Sequence, residues 1–159
     1  MELNTRGRYA VMAMADLAKH QELAAVSLSS IAERQDLSLP YLEQIFLQLR
    51  RAGLVESARG RMGGYRLARG PADISVAEIM SAVQEETRMT RCLGEEGTGC
   101  LREEKCLTHD LWHALGNHIR VFLSSVSLQE VLGGLPPAKR MPPPGPALQI
   151  SPHVDIAAK

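Results

Sequence analysis

Across the first seventy residues the apolar positions form three helix-like repeats and then two short extended runs. Ala10, Ala13, Met14, Leu17 and Ala18 recur at the i, i+3, i+4, i+7, i+8 spacing of one helix face, with Asn4 or Thr5 as cap. Ser27 opens a second, shorter helix with Leu28, Ile31 and Ala32 inward, and this helix stops near Asp36. Ser38 opens a third. Pro40 is tolerated there, because first-turn amides have no intrahelical partner to lose. Leu42, Ile45, Phe46 and Leu49 form the buried stripe of this third helix. At about 100° per residue, Pro40, Gln44, Leu47, Gln48 and Arg51 project from the opposite side. Gly53 supplies the C-terminal stop.

Two short helices, a tight turn and a third helix with a polar outward face make a helix-turn-helix pattern. Residues 54–58 and 65–67 read as strands, and Arg59-Gly60-Arg61-Met62-Gly63-Gly64 can turn sharply between them. A three-helix structural bundle shares the helices but not this hairpin. Within residues 56–70, Arg59, Arg61, Arg66 and Arg69 face only Glu56. Such a run alone is satisfied by a solvated surface. Placed directly after an outward-facing helix, it reads as the wing of a winged helix. Its glycines let the backbone approach DNA, and its arginines bring charge to phosphates or to a narrow minor groove. Arg51, Arg59 and Arg61 are the candidate DNA-contacting cations.

Ser75-Val76-Ala77-Glu78 has the form of a capping box and opens a helix with Val76, Ile79, Met80 and Val83 inward. Periodicity then vanishes over residues 85–107. A longer amphipathic helix follows, from about His109 to Ser124. Leu111, Leu115, Ile119, Phe122 and Val126 lie along one side of it, and Trp112 and Leu123 widen the stripe. That stripe is too wide for one small domain to cover, so it predicts a homodimer. Ser127-Leu128-Gln129-Glu130 is a second capping box, for a short helix ended by Gly133-Gly134. Seven of the nine prolines lie in residues 136–152, and no Phe, Tyr or Trp follows Phe122. Such a segment cannot bury a core and reads as a disordered tail.

Composition narrows the class. With 159 residues, 45% hydrophobic and 23% charged, the chain suits one compact domain with an accessory arm, not a collagen, a disulfide scaffold or a wholly disordered protein. No apolar run is long enough for a membrane helix, and the start lacks a signal-peptide pattern, so a soluble cytoplasmic protein without a membrane partner is expected. The formal net charge of zero conceals an asymmetry: residues 1–70 carry +3, residues 71–110 carry −5 and residues 111–159 carry +2.

All three cysteines fall in the aperiodic stretch, where Cys92, Cys100, Cys106 and His109 are spaced C-x7-C-x5-C-x2-H. An odd number of cysteines in a reducing compartment points to metal or redox chemistry instead of a disulfide framework. Three thiolates and one imidazole form a ligand set for a soft or borderline metal. Cys106 and His109 stand at i and i+3, with Thr108 as helix cap, and Gly94, Gly97 and Gly99 free the loop to wrap around an ion or cluster. Free cysteines also serve as small buried hydrophobes, but this loop is polar. Structural zinc is the other reading, although zinc sites usually pair their ligands in tight knuckles, and none occurs here. His113 and His118, like His20 and His153, lack a cysteine partner and read as packing or surface histidines.

The chain resembles the IscR family of bacterial iron–sulfur cluster regulators, over nearly its whole length to about Leu132. The resemblance rests on Gly7-Arg8-Tyr9-Ala10-Val11, Leu39-Pro40-Tyr41-Leu42-Glu43-Gln44, Arg59-Gly60 with Gly63-Gly64-Tyr65, and Lys105-Cys106-Leu107-Thr108-His109-Asp110-Leu111-Trp112. It implies a mainly α fold: a winged helix-turn-helix DNA-binding domain with a small β-hairpin wing, plus a long C-terminal dimerisation helix. The implied divisions are 1–84 for DNA binding, 85–108 for the cluster loop, 109–134 for dimerisation and 135–159 for the Pro-rich tail. By position, Cys92, Cys100, Cys106 and His109 would hold one 2Fe–2S cluster per protomer, supplied by cluster-assembly machinery. Pro40, Glu43, Gln44 and Arg59 would contact palindromic double-stranded operators. The implied activity is chiefly repression of cluster-biogenesis genes, with no enzymatic reaction. Pro40 departs from relatives that carry a serine hydroxyl there, and the first ligand gap is seven residues where some relatives have five. Nitric-oxide-sensing and iron-responsive cousins share parts of the pattern, and His109 directly after Cys106 favours the cluster regulator. A zinc-containing winged-helix regulator is one alternative; a small electron-transfer protein is another, but leaves the arginine wing unexplained.

Overall fold

Helix α1 (Thr5–His20) buries Ala10, Ala13, Met14 and Leu17 completely, the stripe that the periodicity predicts, with Thr5 its first residue and no longer a cap. The computed structural model describes residues 5–21, 24–60, 63–84 and 107–140. Helix α2 (Leu28–Gln35) starts where the Ser27 hydroxyl accepts from the Ser30 amide. It ends at Asp36, which takes the left-handed conformation (φ 52°) so that the Leu37 N–H reaches the Ala32 carbonyl at 2.9 Å. Helix α3 (Leu39–Arg51) buries Leu42, Ile45, Phe46 and Leu49. Its end is a Schellman turn, with Gly53 at φ +70°, its N–H on the Arg50 carbonyl and the Leu54 N–H on the Leu49 carbonyl, both at 3.0 Å.

Strands β1 (Val55–Ala58) and β2 (Gly64–Leu67) pair antiparallel, Val55 opposite Leu67 and Ala58 opposite Gly64. The hairpin does not stand alone. Val26 and Tyr65 exchange two backbone hydrogen bonds, at 2.9 and 2.8 Å, fastening the wing to the chain entering α2. Gly64 makes this approach possible: a Cβ there would lie 2.4 Å from the Val26 carbonyl oxygen. Nothing local in the sequence signals this pairing.

After a single 3-10 turn at Pro71–Asp73 come α4 (Val76–Ala82), α5 (His109–Ser125) and α6 (Leu128–Gly133). Both expected capping boxes are formed, by Ser75 with Glu78 and by Ser127 with Glu130. The two caps lie side by side: the Val76 N–H donates to the Val126 carbonyl at 2.9 Å, and the Leu128 N–H to the Ile74 carbonyl at 2.8 Å. Leu128 is fully buried in the same core as α1 and α3. A second cluster joins Val76, Met80 and Val126 to Val11, Leu123, Val131 and Leu135. The segment after α5 thus packs as part of the DNA-binding unit.

Three local expectations are revised. Thr108 occupies the cap position of α5 but makes no side-chain capping bond to the first turn. Gln48 is half-buried, not outward, because α3 is packed on more than its apolar stripe. Leu135–Arg140, expected in the tail, folds back: Leu135 joins the second cluster, and Lys139 pairs with Glu130 at 2.7 Å and donates to the Ser125 carbonyl. The remainder of the expected tail, 141–159, lies outside the described residues.

Candidate nucleic-acid interface and cluster ligands

Helix α3 is held from behind. Phe46, fully buried, meets the Tyr65 ring of β2 edge-on at 4.9 Å, so helix and wing share one aromatic contact. Tyr41, one turn into α3, sits edge-on to Tyr9 of α1 at 6.0 Å. Pro40, Glu43, Gln44 and Arg51 are all exposed along α3, and Arg59 is exposed where β1 ends. The five predicted contact residues within the described chain therefore have solvent-facing positions; Arg61 lies outside the described residues. Neither Arg51 nor Arg59 is ion-paired among the described residues. Leu47 adds an apolar, 39% exposed position to the outward side of α3.

Not every arginine of the basic run serves the wing. Arg69, on the surface, donates to Glu78 at 2.8 Å and to the Asp73 carbonyl at 3.1 Å. Hydrogen bonds from Arg69 and from the Ser75 backbone, with the nearby guanidinium charge, hold the Glu78 carboxyl below its ordinary range despite some desolvation. Arg69 braces the capping box of α4 through Glu78.

The sequence reading also missed a buried carboxylate. Asp16 lies on the apolar face of α1 with its side chain 2% exposed. Arg34 of α2 reaches it through Nε at 3.0 and 3.1 Å and Nη2 at 2.5 Å, and Gln35 Nε2 donates at 2.7 Å. Burial pushes the Asp16 carboxyl up, but the hydrogen bonds from Arg34 and Gln35, with the charges of Arg34 and His20, outweigh it and hold the group below its usual value. This lock fixes α2 against α1 and hence the turn that aims α3.

Of the expected cluster ligands, Cys92, Cys100 and Cys106 lie outside the described residues. His109 does not. It is the one buried residue of α5, at 5% exposure in the first turn, and its ring runs parallel to that of His113, centroids 6.1 Å apart. The rest of the helix inverts the usual order. Leu111 (61%), Val121 (66%) and Phe122 (42%) are exposed, as are Trp112 and Leu115. An imidazole buried ahead of an uncovered apolar face, joined by two residues to a thiol, has donor chemistry that fits an iron–sulfur or zinc centre.

A helix-turn-helix whose third helix is braced against a basic, glycine-tipped hairpin defines a winged-helix, DNA-binding transcriptional regulator. Residues 3–134 match the Rrf2 family, described as iron-dependent transcriptional regulators. Over 132 residues the chain is 51% identical to the HTH-type transcriptional regulator IscR of Xenorhabdus nematophila, covering 83% of this chain and 79% of that one. It is 52% identical to a putative HTH-type regulator, ORF2, of Azotobacter vinelandii over the same shares of each chain. Among solved structures it is similar to T. potens IscR, with a TM-score of 0.69 and 38% identity over 90% of this chain and 94% of that one. It is also similar to CymR, the global cysteine regulator of B. subtilis, with a TM-score of 0.70 and 32% identity over 84% and 97%. The chain belongs to the Rrf2 family and is a transcriptional regulator of IscR-like type, not an enzyme. Among the described residues, no helix is long and apolar enough to cross a membrane.

Proposed function

We propose that this regulator acts in the cytoplasm as a homodimer on palindromic operators, chiefly as a repressor of iron–sulfur cluster biogenesis genes, and reports cluster status through a 2Fe–2S cluster on each protomer. Cys92, Cys100, Cys106 and His109 hold the cluster, which cluster-assembly machinery supplies. The observation that carries the reading is the burial of His109 at the head of an otherwise exposed helix, immediately after Cys106. The IscR-named relatives at about half identity support it.

The bound cluster supplies a ligand-sensitive centre whose occupancy changes with iron and sulfide supply. The chain does the rest. His109 contributes a neutral ligand that is lost more readily than a thiolate, which makes the site responsive. A cluster held at Cys92, Cys100, Cys106 and His109 would act on the start of α5, and the chain leaving α5 enters the core through Val126 and Leu128. That gives the two sites a physical connection through which a coupling free energy can act. On DNA, Gln44 and Glu43 read base edges, Pro40 and Arg51 line the groove, and Arg59 and Arg61 neutralise phosphate.

Alanine substitution tests the ligand set. After anaerobic purification, loss of any one of Cys92, Cys100 and Cys106 should abolish the visible chromophore, while His109→Ala should leave a weaker, short-lived one. Wild-type colour and lifetime in His109→Ala would remove His109 from the site.

A further inference from the structure

Leu47 is the apolar member of an otherwise polar ridge. At about 100° per residue it lies roughly 150° around α3 from the middle of the stripe Leu42, Ile45, Phe46 and Leu49, between Gln44 one turn before it and Arg51 one turn after. Glu43, Gln44, Arg50 and Arg51 around it are all exposed, and neither arginine is ion-paired among the described residues. Leu47 itself is 39% exposed. Single surface leucines are ordinary, but this one is not part of a scatter. Among the described residues, every other exposed large apolar side chain belongs to residues 107–132, except Leu39 at the first position of the same helix.

We propose that Leu47 is a specificity-determining residue that reads the C5 methyl of a thymine in each operator half-site. The proposal rests on the reading of α3 as the helix that enters the major groove. A leucine offers neither donor nor acceptor, so it gains nothing from phosphate or from the polar atoms of a base edge. The major-groove edge of DNA presents one apolar group, the thymine methyl, and apolar side chains contact it there. Arg50 and Arg51, in the last turn, supply the positive charge that DNA calls for and an apolar protein partner does not. The Cβ atoms of Gln44 and Leu47, at i and i+3, stand about 5–6 Å apart, and successive base pairs rise about 3.4 Å. The thymine therefore lies about one or two base pairs from the base that Gln44 reads.

The test uses full-length protein, purified anaerobically, and the palindromic duplex that wild type selects from a randomised pool. Loss of preference in Gln44→Ala marks the base under Gln44. Each thymine is then replaced, in both half-sites, by deoxyuracil, which lacks the methyl and keeps every hydrogen-bonding group. A methyl-sized apolar contact is worth about fourfold in affinity, so one replacement near the Gln44 base should weaken wild-type binding by roughly fifteenfold over two half-sites. Leu47→Gln, a good helix former without the apolar tip, should bind the thymine and uracil duplexes alike, and Leu47→Met should keep the discrimination. The same uracil profile in wild type and Leu47→Gln, with Gln44→Ala still flattening its position, would overturn this proposal alone. Wild-type base preference in both Gln44→Ala and Leu47→Gln would overturn it together with the reading of α3.

Discussion

Asp16 illustrates what single residues contribute beyond the pattern they sit in. Its place between Ala13 and Leu17 on the buried face of α1 is visible in the sequence, and a carboxylate there requires a partner. The partner, Arg34, is eighteen positions away, so no spacing rule names it. Removing one member of a buried ion pair costs about 3–5 kcal/mol. Because the Arg34 side chain is 35% exposed, part of the gain is screened, and about 2–3 kcal/mol is expected for Asp16→Ala. The carboxyl is depressed in the fold, so its contribution is present above its unfolded value of 3.8 and is lost as pH falls through the lower folded value. Urea unfolding across a pH series should therefore give a steep acid limb in wild type and a shallower one in Asp16→Asn. Identical limbs, or an undiminished stability in Asp16→Ala, would remove the lock from the account.

Among the elements, the proposed reading divides DNA recognition between α3 and the wing. Their existence was legible because apolar periodicity, the Ser27 cap, the Gly53 stop and the glycine-rich turn all agreed. The tie between Val26 and Tyr65 was not, since a non-local backbone pair leaves no local trace. Gln44 is exposed on α3, where a bidentate amide contact to adenine is worth about 1–3 kcal/mol of discrimination. Gln44→Ala should flatten the preference at one base position per half-site and leave the salt dependence unchanged. Arg59→Ala should weaken binding on all sequences and lower the salt slope by about one per protomer. Operator-variant titrations at several salt concentrations separate the two; a uniform loss for both would reverse the assignment. The exposed face of α5 makes a second, independent prediction. Phe122, 42% exposed in the single chain, should lie within the homodimer interface. Phe122→Asp should then give a folded monomer in sedimentation, with sharply reduced affinity for a palindrome whose half-sites are read together. A dimer that persists would move the interface off α5.

For the whole molecule, packing ties the C-terminal elements to the N-terminal ones. The family resemblance implied a DNA-binding region over 1–84, a cluster loop over 85–108, where periodicity vanishes, and a dimerisation segment over 109–134. Leu128 and Val126 enter the cores built by α1 and α4, and Leu135–Arg140 closes over α6 through Lys139 and Glu130. The signal for this was faint: two capping boxes of the same form, whose caps prove to be hydrogen-bonded neighbours. Of the candidate cluster site, only His109 lies within the described residues, at the start of α5 where the helix was expected to begin. The burial of that imidazole was not legible, because burial depends on what packs around the start of α5. The central claim is the identity of the centre proposed at Cys92, Cys100, Cys106 and His109. Iron, zinc and acid-labile sulfide analysis of the anaerobically purified full-length protein measures it directly. The account predicts iron and sulfide in equal amounts, about two of each per protomer, with a visible absorption spectrum; one equivalent of zinc with neither iron nor sulfide would contradict it.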